Sequence, residues 1–170
     1  MKTLANKITV LRIALVPVFL VLAYFGHRYT AMAVFILASI SDYVDGYIAR
    51  KYDQVSVFGK FMDPLADKML VLSAMCFFAE SGEMPGWAVA IVLMREFAVS
   101  GLRLIAAEKR IVIAAGWSGK IKTAATMVSI CVILFFNNMY LNTVAVTVIL
   151  VTTIYSGIEY FWKNKSIFDI

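Results

Sequence analysis

The sequence predicts an all-α, polytopic membrane protein, built as a single domain over residues 1–170. Of its residues 62% are hydrophobic and 16% are charged, whereas a soluble domain is typically about 45–50% apolar and about 25% charged. The apolar residues form runs of the length that a helix needs to cross a bilayer, about 20 residues. The connections between these runs are short, which leaves no room for a separate soluble domain.

Six segments are predicted to be transmembrane helices. They cover approximately residues 4–25, 30–51, 57–80, 85–109, 117–137 and 140–162. The turns "SGEMPG" and "NNMYLN" separate the later segments, and Gly, Pro and Asn favour chain reversal there. Lys2 and Lys7 precede an apolar run as in a signal peptide, but a small-x-small cleavage site is not evident. We therefore expect this run to remain as the first helix.

The lysines and arginines predict how the helices are oriented. One set of connections carries most of them, namely Lys2, Lys7, Arg50, Lys51, Lys60, Lys109, Arg110, Lys120, Lys122, Lys163 and Lys165. Because positive connections stay on the cytoplasmic side, both termini are expected in the cytoplasm of a multi-pass plasma-membrane protein. We therefore interpret the net charge of +5 as positive charge that sets the membrane topology and binds anionic lipids or phosphate ligands. No nucleic-acid partner is expected.

Two pairs of aspartates at the cytoplasmic ends of the second and third predicted helices indicate a metal site. Asp42 and Asp45 are three residues apart, and Asp63 and Asp67 are four apart, so each pair shares a helical face. Carboxylates that converge at low dielectric need compensating cations. Oxygen-only ligands favour Mg²⁺ or Mn²⁺, and two such ions suit phosphoryl displacement. The alternative is a set of juxtamembrane charges that lysines or water neutralise.

The residues between the two aspartate pairs suit a bulky phosphate ligand. Gly46 and Ala49 are small, so a large group is able to approach the helix at these positions. Arg50 follows Gly46 by one turn, and its guanidinium is able to bind a phosphate through two parallel hydrogen bonds.

Four cations in the second half of the chain are predicted to bind an anionic phosphate: Arg95, Arg103, Lys120 and Lys122. Arg95 lies well inside the fourth predicted helix, where a charge is costly and indicates function. A pairing of Arg95 with Glu96 is not expected, because adjacent side chains on a helix point apart. For Lys120 and Lys122 the alternative is that they only set the membrane topology.

The aspartate region resembles the signature of the CDP-alcohol phosphatidyltransferases. The pattern D-x2-D-G-x2-A-R-x8-G-x3-D-x3-D is complete from Asp42 to Asp67. This resemblance implies a six-helix membrane enzyme, with its active site at the cytoplasmic side, that attaches an alcohol to the phosphatidyl group of CDP-diacylglycerol and releases CMP. The stretches "REFAVSGLRLIAAEKR" and "GWSGKIKT" resemble the bacterial branch that uses sn-glycerol 3-phosphate. The resemblance also implies a homodimer.

The resemblance implies a role for each residue of the pattern. Asp42, Asp45, Asp63 and Asp67 would hold two divalent metal ions, Mg²⁺ or Mn²⁺, and Asp67 would also act as general base. The residues implied in binding CDP-diacylglycerol are Asn6, Thr9, Gly46, Ala49, Arg50, Ser56 and Gly59. The chain departs from many relatives at Ala5, where they have proline, and at Thr126, where they have glutamine.

Other functions stay open on the sequence alone. The same fold and chemistry could serve another acceptor, such as inositol phosphate, serine or phosphatidylglycerol, although the four cations favour a phosphorylated acceptor over serine. Carboxylates near a membrane also mark ion pathways, so a divalent-cation transporter is a further alternative. A pathway needs polar groups across the whole membrane, and the far half of the predicted spans has few. A purely structural membrane protein would leave the aspartate spacing unexplained.

Overall fold

The computed structural model describes residues 4–51, 57–109, 111, 113 and 116–167, and in these residues it contains six α-helices, one 3-10 helix and no strand. The side chains of residues 4–8, 42–51, 57–64, 67 and 166 lie outside this description. The helices are α1 (Leu4–Tyr24), α2 (Arg28–Lys51), α3 (Val57–Glu80), α4 (Gly86–Glu108), α5 (Trp117–Phe136), α6 (Met139–Lys163) and the 3-10 helix η1 (Lys165–Ile167). The prediction of an all-α protein is confirmed.

The turns before α4 and α6 lie in the segments "SGEMPG" and "NNMYLN", as predicted, and Gly26 lies in the turn after α1. Gly26 and Gly82 have φ angles of 79° and 76°, a left-handed conformation that glycine adopts without steric cost. Pro85 has an extended conformation just before α4, and Asn137 is left-handed at the end of α5. The breaks after α1, α3 and α5 therefore have local causes in the backbone preferences of these residues.

The described helices form two compact units, Met1–Glu80 and Ser81–Ile170. In the first unit α1, α2 and α3 all pack against one another. The buried residues of α2 and α3 recur every three or four positions, at Ala31, Phe35, Ala38, Ala66, Leu70, Ala74 and Phe78. Many of them are alanines, which let helices approach closely where packing rather than water drives association. The prediction of a single domain over residues 1–170 stays a prediction.

The ends of α1 and α3 are joined by an aromatic and polar contact. The hydroxyl of Tyr24, the last residue of α1, donates a hydrogen bond to the carboxylate of Glu80, the last residue of α3. The Tyr24 ring also packs edge-on against Phe77, with 5.2 Å between the ring centres. The two helices therefore run in the same direction and end at the same level of this unit.

In the second unit α6 is the central helix, because it packs against both α4 and α5 and then leads into η1. Val99, Leu102 and Ala106 on α4 form a buried cluster with Tyr160 on α6 and Ile167 in η1. Lys109, just after α4, donates a hydrogen bond of 2.8 Å to the backbone carbonyl of Ile167. The end of α4 is therefore held against the end of α6.

The outer surfaces of the second unit are apolar. Exposed residues of α6 recur at alternating intervals of four and three, at Val144, Val148, Val151, Tyr155, Ile158 and Trp162. By length and composition α5 and α6 are able to cross a membrane, and they are the two such helices among the described residues. Shorter apolar helical segments run over Thr9–Tyr24 and Arg28–Ser41.

The start of α6 depends on one side chain. The Oδ1 atom of Asn138 accepts hydrogen bonds from the backbone N–H groups of Tyr140 at 3.0 Å and Leu141 at 3.4 Å. We expect Asn138→Ala to lower stability by about 1 kcal/mol, because these two donors lose their partner. Thermal unfolding of the purified protein in detergent should show a lower midpoint. Asn138→Asp, which keeps the acceptor, should not lower it, and equal losses in both variants would contradict this role.

Candidate functional site

The four aspartates of the sequence pattern lie on helices, as predicted. Asp42 and Asp45 belong to α2, and Asp63 and Asp67 belong to α3, so the spacing of three or four residues places each pair on one helical face. Their side chains lie outside the described part of the structure. The donor set itself fits hard divalent cations, because it consists of carboxylates on regular helical spacing. The metal site stays a prediction.

Of the seven residues implied in nucleotide-lipid binding, six lie on the first three helices, and Ser56 lies outside the described residues. Thr9 on α1 is fully buried. The remaining six lie outside the residues whose side chains are described, and they are Asn6, Gly46, Ala49, Arg50, Ser56 and Gly59. Thr9 is thus the one residue of this group whose side chain is described. The binding roles of all seven residues stay predictions.

Arg12 is a functional candidate that the sequence reasoning missed. It is 1% exposed and lies one turn after Thr9 on α1. Its Nε donates a long hydrogen bond of 3.4 Å to the hydroxyl of Ser41, the residue that directly precedes Asp42. A buried guanidinium is costly unless it is paired and usually marks a site. The available signal was an arginine inside an apolar helix, three residues after Thr9.

Arg95 and Lys122, two of the predicted acceptor cations, meet at one carboxylate oxygen. The Oε1 atom of Glu96 accepts from Lys122 Nζ at 2.6 Å and from Arg95 Nη1 at 3.0 Å. The side chain of Lys122 is 7% exposed, that of Arg95 is 13% exposed and that of Glu96 is 14% exposed. This bridge links α4 to α5 through charge-assisted hydrogen bonds that are largely shielded from solvent.

The expectation that Arg95 does not pair with Glu96 was wrong. The rule that adjacent helical side chains point apart describes the direction in which they leave the backbone. The side chain of Arg95 is long enough to fold back, so its Nη1 reaches the carboxylate of the next residue. Lys122 binds the same oxygen, and this shared acceptor favours the folded conformation.

Two glycines make room for Arg95. A Cβ atom on Gly157 of α6 would lie 3.2 Å from Arg95 Cγ, and one on Gly119 of α5 would lie 3.9 Å from Arg95 Nη2. The Nε atom of Arg95 is buried and has no hydrogen-bond partner among the described residues. Since a buried donor without a partner is costly, this atom is suited to an anionic ligand.

Arg103 and Lys120 make contacts of a different kind. Arg103 is exposed, and its Nε donates to the hydroxyl of buried Tyr160 at 3.0 Å. Its guanidinium also lies 5.6 Å from the centre of the Tyr160 ring. Lys120 is exposed, with its Nζ 5.0 Å from the centre of the Trp117 ring. The described contacts thus bring together Arg95 and Lys122, and they place Arg103 and Lys120 against aromatic rings. The predicted roles of all four residues in binding the acceptor stay predictions.

The comparisons with known proteins give the class. The sequence matches the family described as CDP-alcohol phosphatidyltransferase over residues 2–155, and the chain belongs to this family. It is 40% identical to the CDP-diacylglycerol–glycerol-3-phosphate 3-phosphatidyltransferase of Bacillus subtilis, over 96% of each chain. It is 39% identical to a probable phosphatidylglycerophosphate synthase of Mycobacterium tuberculosis, over 92% of this chain and 79% of the relative. A Rickettsia typhi protein with the same name as the Bacillus protein is 34% identical, over 99% of this chain and 100% of the relative.

The two glycines near Arg95 provide a matched pair of variants. Alanine is favoured over glycine inside a helix by roughly 0.5–1 kcal/mol, and at Gly119 its Cβ would make only an ordinary contact. At Gly157 the Cβ would crowd Arg95 Cγ, and overpacking of this kind costs about 1–3 kcal/mol. We therefore expect thermal unfolding in detergent to show a lower midpoint for Gly157→Ala and an unchanged or higher one for Gly119→Ala. A higher midpoint for Gly157→Ala would contradict the close packing.

Proposed function

We propose that the protein transfers the phosphatidyl group of CDP-diacylglycerol to sn-glycerol 3-phosphate, giving phosphatidylglycerophosphate and CMP in phospholipid biosynthesis. The observation that carries this proposal is the 40% identity, over 96% of both chains, to a relative whose name states this transfer. The complete aspartate pattern from Asp42 to Asp67 is consistent with it. A second relative is named as a probable phosphatidylglycerophosphate synthase.

The aspartates are proposed to hold two divalent ions, Mg²⁺ or Mn²⁺. Asp42 and Asp45 on α2 and Asp63 and Asp67 on α3 supply oxygen donors alone, the set that such hard cations prefer. When bound, these ions would neutralise the diphosphate and the departing CMP. The proposal predicts that thorough stripping with EDTA abolishes CMP release and that Mg²⁺ or Mn²⁺ restores it.

The reaction is a direct displacement at phosphorus. The 1-hydroxyl of glycerol 3-phosphate attacks the phosphorus atom of the phosphatidyl group, and Asp67 accepts the hydroxyl proton. As the new oxygen–phosphorus bond forms, the bond to the CMP oxygen breaks and CMP leaves with the electron pair. No covalent enzyme intermediate is formed. General-base assistance of this kind contributes roughly 10²–10⁴-fold in rate.

The nucleotide-lipid is proposed to bind along the first three helices. Arg50 would bind a phosphate through its planar guanidinium, and the small residues Gly46, Ala49 and Gly59 would let the ligand approach the backbone. Asn6, Thr9 and Ser56 would add polar contacts. Thr9 is fully buried, and this position inside the unit is consistent with a place in the site.

The acceptor phosphate is proposed to bind Arg95 and Lys122, with Arg103 and Lys120 nearby in the chain adding positive charge. Arg95 and Lys122 are shielded from solvent, and a charge interaction is stronger in such an environment than in water. A pair of shielded cations favours a phosphate dianion over an acceptor without a phosphate, such as serine. This argues for a phosphorylated acceptor, the class to which glycerol 3-phosphate belongs.

The chain is proposed to be a multi-pass protein of the plasma membrane with six transmembrane helices, both termini in the cytoplasm and the active site at the cytoplasmic side. The apolar lengths of α5 and α6 support this, as do exposed apolar residues along α4 at Trp87, Met94, Phe97 and Leu104. The distribution of lysine and arginine supports the orientation. A homodimer is proposed from the resemblance to the family.

The proposal is tested by measuring CMP release from CDP-diacylglycerol with a panel of acceptors. We expect release with sn-glycerol 3-phosphate and little with serine, inositol phosphate or phosphatidylglycerol. Release with one of the other acceptors alone would overturn the assigned acceptor and keep the reaction class. No release with any of them, from folded protein with added Mg²⁺ or Mn²⁺, would overturn the proposed reaction.

Asp67→Asn separates proton transfer from binding. We expect the single-turnover rate to fall by roughly 10²–10⁴-fold, because the amide cannot accept the hydroxyl proton, while the affinity for CDP-diacylglycerol is retained. Asp42→Asn is the matched comparison, since it should also raise the Mg²⁺ concentration required. Near-normal turnover in Asp67→Asn would remove this residue from the role of base.

A further inference from the structure

Glu96 has no role in the reaction as proposed, although it lies at the centre of the acceptor cations. Its Oε1 atom binds both Lys122 and Arg95. Two cations that are mostly buried repel each other and lose hydration, so they need a counter-charge even before a ligand arrives. Glu96 supplies this charge from within the chain, which leaves the three groups with a net charge of +1.

The contact with Glu96 determines which part of the Arg95 guanidinium remains available. This group is planar, with its N–H donors in a fixed arrangement. Glu96 binds Nη1, while Gly157 allows the close approach of the Arg95 side chain to α6. The Nε atom is buried without a hydrogen-bond partner among the described residues. The edge formed by Nε and Nη2 is therefore the part of the guanidinium that Glu96 does not use.

We infer that Glu96 is a positioning residue for the acceptor phosphate. By binding Lys122 and the Nη1 atom of Arg95, it orients the Nε–Nη2 edge of Arg95 so that two parallel hydrogen bonds reach a phosphate monoester. This inference rests on the proposed function, since it concerns the same acceptor. An oriented bidentate donor discriminates by geometry as well as charge, so Glu96 contributes to selection of a phosphorylated alcohol.

The opposite role for Glu96 makes a different prediction. If its carboxylate only competed with the phosphate for the two cations, removal of its charge would strengthen acceptor binding. If it positions the cations, removal weakens acceptor binding, because Arg95 and Lys122 lose a fixed geometry that exists before the substrate arrives. The direction of change in the KM for glycerol 3-phosphate therefore decides between the two roles.

The test compares Glu96→Gln, which keeps the shape and loses the charge, with Glu96→Asp, which keeps the charge and shortens the reach. We expect Glu96→Gln to raise the KM for glycerol 3-phosphate at least about tenfold and to change kcat by less than about threefold. This pattern is expected when a variant loses a binding interaction that is equally strong in the ground state and in the transition state. Glu96→Asp should raise KM by a smaller factor. Calorimetric titration of the full-length protein in detergent with glycerol 3-phosphate should show the same weakening without turnover.

Glu108→Gln is the matched control, because Glu108 is an exposed glutamate at the end of the same helix. We expect the KM and kcat of this variant to equal those of the unmodified protein. A second control places Glu96→Gln in an Arg95→Lys background. There the further rise in KM caused by Glu96→Gln should be smaller than in the unmodified background, since only Lys122 remains to be oriented.

An unchanged or lower KM in Glu96→Gln, with glycerol 3-phosphate still used by the unmodified protein, would overturn the positioning role alone. Should Glu96→Gln not fold, Glu96→Asp decides, and an unchanged or lower KM in that variant has the same meaning. Failure of the unmodified protein to release CMP with glycerol 3-phosphate would instead overturn the proposed function.

Discussion

Charge that is buried between apolar helices needs polar partners, and this constraint governs the buried cations described in each unit. In the unit Ser81–Ile170 a single oxygen of Glu96 binds two cations from two helices. In the unit Met1–Glu80 the buried Arg12 reaches the hydroxyl of Ser41 on the neighbouring helix. Because an unpaired charge in such surroundings costs several kcal/mol, these side chains are held in defined positions, which is also what a binding site for an anion requires.

Small residues make such pairing possible. Arg95 needs space beside α5 and α6, and Gly119 and Gly157 lie at the positions where a Cβ atom would approach it. Tyr160 adds a different kind of support, since it is buried in the cluster around α4 and its hydroxyl oxygen accepts a hydrogen bond from Arg103 Nε. The central position of α6 in its unit therefore has a consequence for chemistry: the same helix packs the core and supports two cations of the candidate acceptor site.

The proposed function gives these contacts a common purpose. A transfer between CDP-diacylglycerol and glycerol 3-phosphate brings together two anionic substrates, so each needs positive charge at a defined place. The chain carries the aspartates of the family pattern, with Arg50, in its first half, and Arg95 and Lys122 in its second half. The proposed metal binding by the aspartates and the proposed phosphate binding by Arg50, Arg95 and Lys122 would answer the same electrostatic requirement in two ways.

The sequence by itself determined the all-α class, the approximate bounds of all six described helices and the family, because apolar runs, turn residues and an eight-position motif are local patterns. It also singled out Arg95, since charge within an apolar helix is unusual, and Lys122, as one of the four cations in the second half of the chain. Only the tertiary structure decided that these two meet at Glu96, that Gly157 lies against Arg95, and that Arg12 is buried beside Ser41. Contacts between residues 26 to 62 positions apart depend on how helices pack and on how long side chains bend, and neither is contained in a local pattern.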